Sequence, residues 1–136
     1  MSYAGEMLGT YPGDVTFDAD AATLATAIDA LMGCAQACDT DTDADLSEPN
    51  LAEMVTCIRL CQNCVDVCAA TAGILSRPAT WETQVIGPLL QACVATCRSC
   101  GDECERHAPM HEHCRVCAEA CRRCEQACRE LLAAIK

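Results

Sequence analysis

The sequence predicts an all-α fold, an antiparallel up-down-up-down four-helix bundle with a cysteine-lined core and an irregular N-terminal arm. Two observations predict it. Beyond residue 17 the chain divides into four alanine-rich segments in which apolar residues recur at helical spacing. The connections between these segments are short, which makes neighbouring helices antiparallel. The 136 residues are enough for one domain with a single core.

The N-terminal arm is predicted to span residues 1–17, and the bundle domain residues 18–136. Three glycines and a proline lie near the start of the chain, which favours irregular backbone with one helical turn around residues 6–8. The arm is therefore not counted among the four helices of the bundle.

The first two helical segments are predicted at about residues 20–39 and 49–75. The acidic stretch between them is predicted to be a polar connection that contains the start of the second helix. Ser47 is the predicted N-cap, with Glu48 and Pro49 in the first turn.

The third segment is predicted to begin after Thr80, as its N-cap, and to end near His107. Gly87-Pro88 inside this segment predicts a kink or a short separate first piece, because proline cannot donate a backbone hydrogen bond. After a very short link, the fourth segment runs from about residue 110 to 135.

Cysteine supplies 15 of the 136 residues, and most of them form ladders with steps of three and four. Those steps place each ladder on one helix face, and charged residues such as Arg98 and Glu119 lie off it. The thiols are therefore predicted to point into the core. The ladder positions are 34 and 38 in the first segment, 57, 61, 64 and 68 in the second, 93, 97, 100 and 104 in the third, and 114, 117, 121, 124 and 128 in the fourth.

Neither packing nor disulfide bonding accounts for these cysteines. A cysteine in place of a larger apolar residue costs about 1 kcal/mol of packing, so the whole set costs on the order of 10 kcal/mol. That cost equals the roughly 5–15 kcal/mol of net stability of a whole domain. Fifteen is an odd number, and thiols three or four apart on a helix stand side by side and would constrain little. Metal binding is the remaining interpretation.

Soft thiolates select Cu(I), zinc or iron–sulfur clusters. Iron–sulfur sites typically take their cysteines from loops around a compact cluster, which helical stripes do not provide. Four thiolates around one Zn²⁺ leave a net charge of about −2 in the core. Since bridging sulfurs allow roughly one Cu⁺ per thiolate, copper nearly neutralises the core, and charge balance favours Cu(I).

Composition excludes several other functions. The formal charge of −11 repels nucleic acid and anionic lipid, and 3% aromatic residues exclude stacking platforms for bases. The sequence has no run of eighteen apolar residues, so no membrane-spanning helix is expected. No secretory signal is visible at the start, which predicts a cytoplasmic protein with reduced thiols.

The antiparallel arrangement predicts one end rich in soft ligands and one aliphatic end. Met54, Met110 and His107 extend the cysteine ladders at the first end, and His111 lies across a tight turn from His107. We predict that these four side chains are metal ligands where copper reaches the core. His113 lies off the ladder and is predicted to face solvent.

The acidic stretch, with Asp39, Asp41, Asp43, Asp45 and Glu48, is predicted at the same end, where it either attracts cations or serves only solubility.

The repeated C-x3-C-x2-C-x3-C ladder resembles that of the bacterial copper storage proteins, in particular their cytosolic branch. The resemblance covers residues 20–135. It implies a protein without enzymatic activity that stores many Cu(I) ions per bundle, forms homotetramers, and takes up copper through one open end containing His or Met. A copper chaperone is a candidate exchange partner. The core ligands it implies are Cys34, Cys38, Cys57, Cys61, Cys64, Cys68, Cys93, Cys97, Cys100, Cys104, Cys114, Cys117, Cys121, Cys124 and Cys128.

Two alternative functions stay open at the level of sequence. A thiol oxidoreductase would use one C-x2-C pair with a lowered pKa, and Cys114 with Cys117 comes nearest because it lies just inside the start of the fourth segment. A zinc- or redox-responsive regulatory module would expose apolar surface to a partner when its metal leaves. Neither alternative requires all fifteen cysteines.

Overall fold

The computed structural model describes residues 2–13 and 19–135 of the chain. The predicted boundary between arm and bundle, at residues 17 and 18, lies outside the described residues. Within the described ranges the α-helices are α1 (Ala4–Gly9), α2 (Ala21–Leu46), α3 (Val55–Leu75), α4 (Thr83–His107) and α5 (Glu112–Ala134). Short 3₁₀ turns at Leu51–Met54 and Pro78–Thr80 precede α3 and α4.

The four long helices form the predicted antiparallel bundle. Helix α2 packs against α3 and α5, and α4 packs against the same two helices. The direction follows from the contacts: on α2 and α5, Cys34 lies next to Cys121 while Cys38 lies next to Cys117. As the residue number rises on one helix it falls on its neighbour, which confirms the up-down topology.

Helix α2 is longer than predicted. It begins at Asp20, whose carboxylate accepts a 2.7 Å hydrogen bond from the Thr23 backbone N–H, and it continues through the acidic stretch to Leu46. The predicted end near residue 39 was therefore wrong. Asp and Thr are poor helix formers, but Asp41 and Asp45 extend the core-facing stripe and are buried, so tertiary packing overrides local propensity.

The predicted start of the second helix was also wrong. Ser47 is the C-cap of α2, and its hydroxyl donates a 3.1 Å hydrogen bond to the backbone carbonyl of Asp43. Because α2 continues to this point, Ser47 ends one helix instead of starting the next. The 3₁₀ turn Leu51–Met54 then leads directly into α3.

Helix α4 is continuous through Pro88, so of the two predicted alternatives the short separate first piece was wrong. Pro88 lies near the start of the helix, and Gln84, whose carbonyl loses its hydrogen-bond partner, is exposed to water. Thr80 lies in the preceding 3₁₀ turn, and α4 begins after Glu82.

One close approach ties α4 to α5. The Arg122 guanidinium lies against Gly101, where an added Cβ would come within 2.9 Å of Nη1. The same guanidinium pairs with Asp102 at 2.6 Å and Glu105 at 2.8 Å. Because the acidic partners are more than half exposed, each pair contributes at most about 1 kcal/mol. The glycine leaves the space that the Arg122 guanidinium occupies.

The closed end of the bundle is the aliphatic end predicted from the sequence. Its buried side chains are Leu24, Leu75, Ile86, Leu90 and Leu131. The predicted helical turn of the arm is present as α1, which packs against α2 through the buried Leu8.

Two segments, Ala21–Leu46 and Leu51–Leu75, are long and apolar enough to cross a membrane. Neither contains an uninterrupted run of eighteen apolar residues. Buried core helices can also be this long and apolar. In both segments the cysteines face the interior of the bundle.

Candidate metal centre

The fifteen cysteines are all free thiols at the centre of the bundle, each at most 1% exposed. Most of their sulfurs lie 3.6–4.0 Å from a sulfur on another helix, as in Cys38 with Cys117 at 3.6 Å. This is the separation of non-bonded sulfurs that touch. The prediction that the thiols face each other along the bundle axis is confirmed.

The thiols form overlapping sets of four donor atoms, each set within 4.8 Å. Two of the sets take one cysteine from every long helix, and a third shares Cys34 with one of them and Cys38 with the other. The sets are Cys34, Cys68, Cys97 and Cys124; Cys34, Cys38, Cys64 and Cys121; and Cys38, Cys61, Cys100 and Cys117. Because the sets share members, they form one continuous arrangement of sulfur, which we call the thiol column.

Thr71 stands where the thiol column meets the closed end. It takes the next ladder position after Cys68 on α3 and is fully buried. Its hydroxyl lies 2.9 Å from the Cys93 sulfur and 2.7 Å from the backbone carbonyl of Val67, to which it donates. Beyond it the core is aliphatic, so the sulfur donors end at this level.

At the other end, Asp41 and Asp45 extend the column with carboxylate oxygens. The Cys61 thiol donates to Asp41 Oδ2 at 3.5 Å, and the Cys114 thiol donates to Asp45 Oδ1 at 3.6 Å. We call the set Asp41, Asp45, Cys57 and Cys114 the mouth. Sequence reasoning missed the two carboxylates as part of the core, although continuing the steps of three and four past Cys38 leads to both.

His113 does not face solvent as predicted. Its Nδ1 lies 2.5 Å from Asp41 Oδ1 and its Nε2 lies 3.0 Å from Glu48 Oε2, and its side chain is 27% exposed. The prediction failed because it assumed that α2 had ended before this level. The extended helix places Asp41 beside the start of α5.

The four predicted access ligands lie in different environments. Met54 is fully buried, and His107 is buried with Nε2 2.9 Å from Glu103 Oε2. The Nδ1 of His111 lies 2.6 Å from Glu48 Oε2. Met110 is 65% exposed, because it lies in the connection before α5 and not on the helical stripe. Their roles as ligands stay predictions.

Burial changes the proton affinity of the mouth. It raises the pKa of Asp41 to about 6 and also raises the pKa of Asp45. The pKa of the Cys114 thiol is raised by burial and by the two nearby aspartates. Burial lowers the pKa of His113, but hydrogen bonds with Asp41 and Glu48 outweigh it and leave the pKa raised. Protons therefore bind more tightly here in the folded state than in the unfolded chain.

This proton affinity predicts an unusual pH dependence for the metal-free protein. A raised pKa means that the folded state binds more protons, so stability increases as pH falls: for Asp41 between about 6 and 4, and for His113 as pH falls through its raised pKa. We expect the free energy of unfolding to increase by about 1–2 kcal/mol from pH 7.5 to pH 5. Urea unfolding of reduced protein measures it.

Asp41→Asn should remove most of this increase, whereas Asp43→Asn, at an exposed position of the same helix, should not. A free energy of unfolding that falls steadily from pH 7.5 to pH 5 in the unmodified protein would contradict the prediction.

The fold and the site together define a class: a helical bundle with buried thiols that could hold several metal ions along its axis. The chain belongs to the copper storage protein family, whose model matches residues 20–133. This confirms the family indicated by the cysteine ladders. The family is one of storage proteins and not of enzymes.

Solved structures and one curated protein are similar to the chain. A structure of the copper storage protein Ccsp from Streptomyces lividans, loaded with 10 copper equivalents, is 52% identical with a TM-score of 0.94, and covers 97% of this chain and 99% of that one. A cytosolic copper storage protein from the same organism, with five coppers, is 55% identical with a TM-score of 0.82, and covers 84% of this chain and 95% of that one. The uncharacterized cysteine-rich protein YhjQ of Bacillus subtilis is 31% identical over 93 residues, 68% of this chain and 81% of its own.

Proposed function

We propose that this protein stores many Cu(I) ions per chain in the cytosol, bound by the thiolates of its fifteen cysteines. The thiol column carries the proposal, because overlapping sets of buried sulfurs can share bridging thiolates between ions. The core thiols are almost completely buried, and burial opposes the charged thiolate form, which favours protonated, neutral thiols in the metal-free core. Each Cu⁺ then replaces one proton without adding net charge to the core.

The alternatives from the sequence fit the structure less well. A redox pair must be reached by its substrate, but Cys114 and Cys117 are 0% and 1% exposed. A regulatory zinc module needs four ligands, and the core offers several overlapping sets. The copper-loaded Streptomyces lividans structures, which cover 97% and 84% of this chain, support storage.

The capacity for Cu(I) tests this function. We expect reduced protein, titrated anaerobically against a chromophoric Cu(I) chelator, to take up about ten or more ions per chain. The double variant Cys38→Ser with Cys100→Ser removes two members of one thiol set and should lower the capacity. Ser99→Ala, at an exposed position next to Cys100, is the matched control and should leave the capacity unchanged. Saturation at one or two ions in the unmodified protein would overturn storage.

We further propose that copper reaches the column at the end that carries the mouth. Met54, His107, His111 and Met110 are the proposed access ligands, since all four lie at helix ends or connections on this side. Met54→Leu and His107→Ala should each slow copper uptake as measured by stopped flow. In the titration described above, the final capacity of each variant should change by at most about two ions. Glu105→Gln, exposed on the same helix as His107, is the control. Unchanged rates in both variants would contradict access by this route.

The remaining proposals follow the family. They are a storage domain over residues 18–136 with an arm over residues 1–17, assembly as a homotetramer, and exchange of copper with a chaperone.

A further inference from the structure

The mouth differs from the thiol column in its donor atoms. Its four residues are buried, and their ligand atoms, two carboxylate oxygens and two sulfurs, lie within 4.8 Å of one another. The three thiol sets of the column contain sulfur alone. Carboxylate oxygen is a poor ligand for soft Cu(I), whereas Zn²⁺ accepts cysteine sulfur and aspartate oxygen together. The donor set is therefore suited to a different ion from the one proposed for the column.

One atom of the mouth lacks a partner. Asp45 is fully buried, and among the described residues its Oδ2 has no hydrogen-bond donor. A buried carboxylate oxygen without a donor is costly, because its lost hydration is not replaced. A cation bound by this carboxylate would compensate for the lost hydration.

The distances fit a tetrahedral divalent ion. With Zn–S bonds of about 2.3 Å and Zn–O bonds of about 2.0–2.2 Å, neighbouring sulfur and oxygen ligands are about 3.6 Å apart. The Cys114 sulfur lies 3.6 Å from Asp45 Oδ1, and the Cys57 sulfur lies 3.7 Å from Asp41 Oδ2. These two sulfur–oxygen pairs already have the spacing of ligands of one ion, and all four ligand atoms lie within 4.8 Å of one another.

Charge does not separate the two ions at the mouth. Two thiolates and two carboxylates carry a formal charge of about −4, and one Zn²⁺ leaves about −2, as two Cu⁺ on the two thiolates would. His113, with Nδ1 2.5 Å from Asp41 Oδ1, offsets one further charge when protonated. The oxygen ligands are therefore what favours an ion of the zinc class here.

We propose that the mouth is a distinct site for one divalent ion of the zinc class, bound by Asp41, Asp45, Cys57 and Cys114. The proposal rests on the proposed function in that Cys57 and Cys114 also belong to the copper store. The ion occupies the end of the column proposed for copper access, and it uses two of the fifteen thiols.

Titration of reduced, copper-free, full-length protein with Zn²⁺ against a chromophoric zinc indicator tests the site. We expect one tight ion per chain, and with Co²⁺ as a probe the visible absorption of tetrahedral cobalt with sulfur ligands. Asp45→Asn should weaken the tight site by more than about tenfold, a loss seen even for residues that only support a metal ligand. The control is Asp43→Asn, two residues away and exposed, which should bind Zn²⁺ as the unmodified protein does.

Unchanged zinc affinity in Asp45→Asn, or an octahedral cobalt spectrum, would overturn the site. If Asp45→Asn does not fold, as judged by circular dichroism, Cys114→Ser tests the same ion from α5 and should abolish the sulfur-to-cobalt absorption. The copper capacity of the unmodified protein tests storage separately, so either proposal can fail while the other stands.

Discussion

Loading the reduced protein with Cu(I) should raise its thermal unfolding temperature by at least about 20 °C. An ion at a free concentration of one hundred times its dissociation constant stabilises the fold by about 2.7 kcal/mol, so four independent ions contribute about 11 kcal/mol. For a domain of this size each kcal/mol raises the unfolding temperature by about 3–5 °C. The effect is large because the metal-free core is held by weak thiol contacts of 3.6–4.0 Å, which coordinate bonds replace.

Anaerobic differential scanning calorimetry of metal-free and copper-loaded protein measures this change. Removing the copper again with excess chelator is the control, and it should restore the original transition. A shift of only a few degrees at a loading of about ten ions would mean that copper binds outside the core or equally well to the unfolded chain.

Leu90→Ala should destabilise the metal-free protein by about 2–5 kcal/mol, since the side chain is fully buried at the closed end and its removal leaves a cavity. Urea unfolding under reducing conditions measures the loss. The matched control is Val85→Ala on the same helix, where the side chain is 47% exposed, and it should cost less than about 0.5 kcal/mol. The core thus has two parts: the leucine and isoleucine side chains stabilise the metal-free fold, and the thiols of the column are available for metal.

Equal effects of Leu90→Ala and Val85→Ala would contradict this division of the core. Copper titration of Leu90→Ala adds a second measurement, because filling the thiol column should recover stability that the cavity removed.

Sequence periodicity predicted the bundle and the inward-facing thiols because one rule, steps of three and four, applies along whole helices. Beyond Cys38 the sequence did not predict a continued helix, since a run of aspartate and threonine has low helix propensity and buried carboxylates are rare. Asp41 is tolerated because His113, 72 positions away, lies against it. Such a pairing depends on how α2 and α5 align, which local sequence does not determine.

Thr71 shows a similar limit. The ladder on α3 predicts a core position after Cys68, but residue type alone does not show that its hydroxyl lies 2.9 Å from the Cys93 sulfur. That contact depends on the packing of α3 against α4. The closed end was nevertheless predicted correctly as aliphatic, because the leucines and isoleucines lie on the same helix faces as the cysteines.

The sulfur donors end at Thr71, and the buried side chains beyond it include Leu75, Ile86 and Leu90. On the access route proposed above, a copper ion held by Cys93 or Cys128 would have the other bound ions between itself and the mouth. The last ion to arrive would then be the first to depart, and the deepest ion would leave only after the outer ones. A single bundle would thereby contain both a fast-exchanging supply and a long-term reserve made from the same ligand.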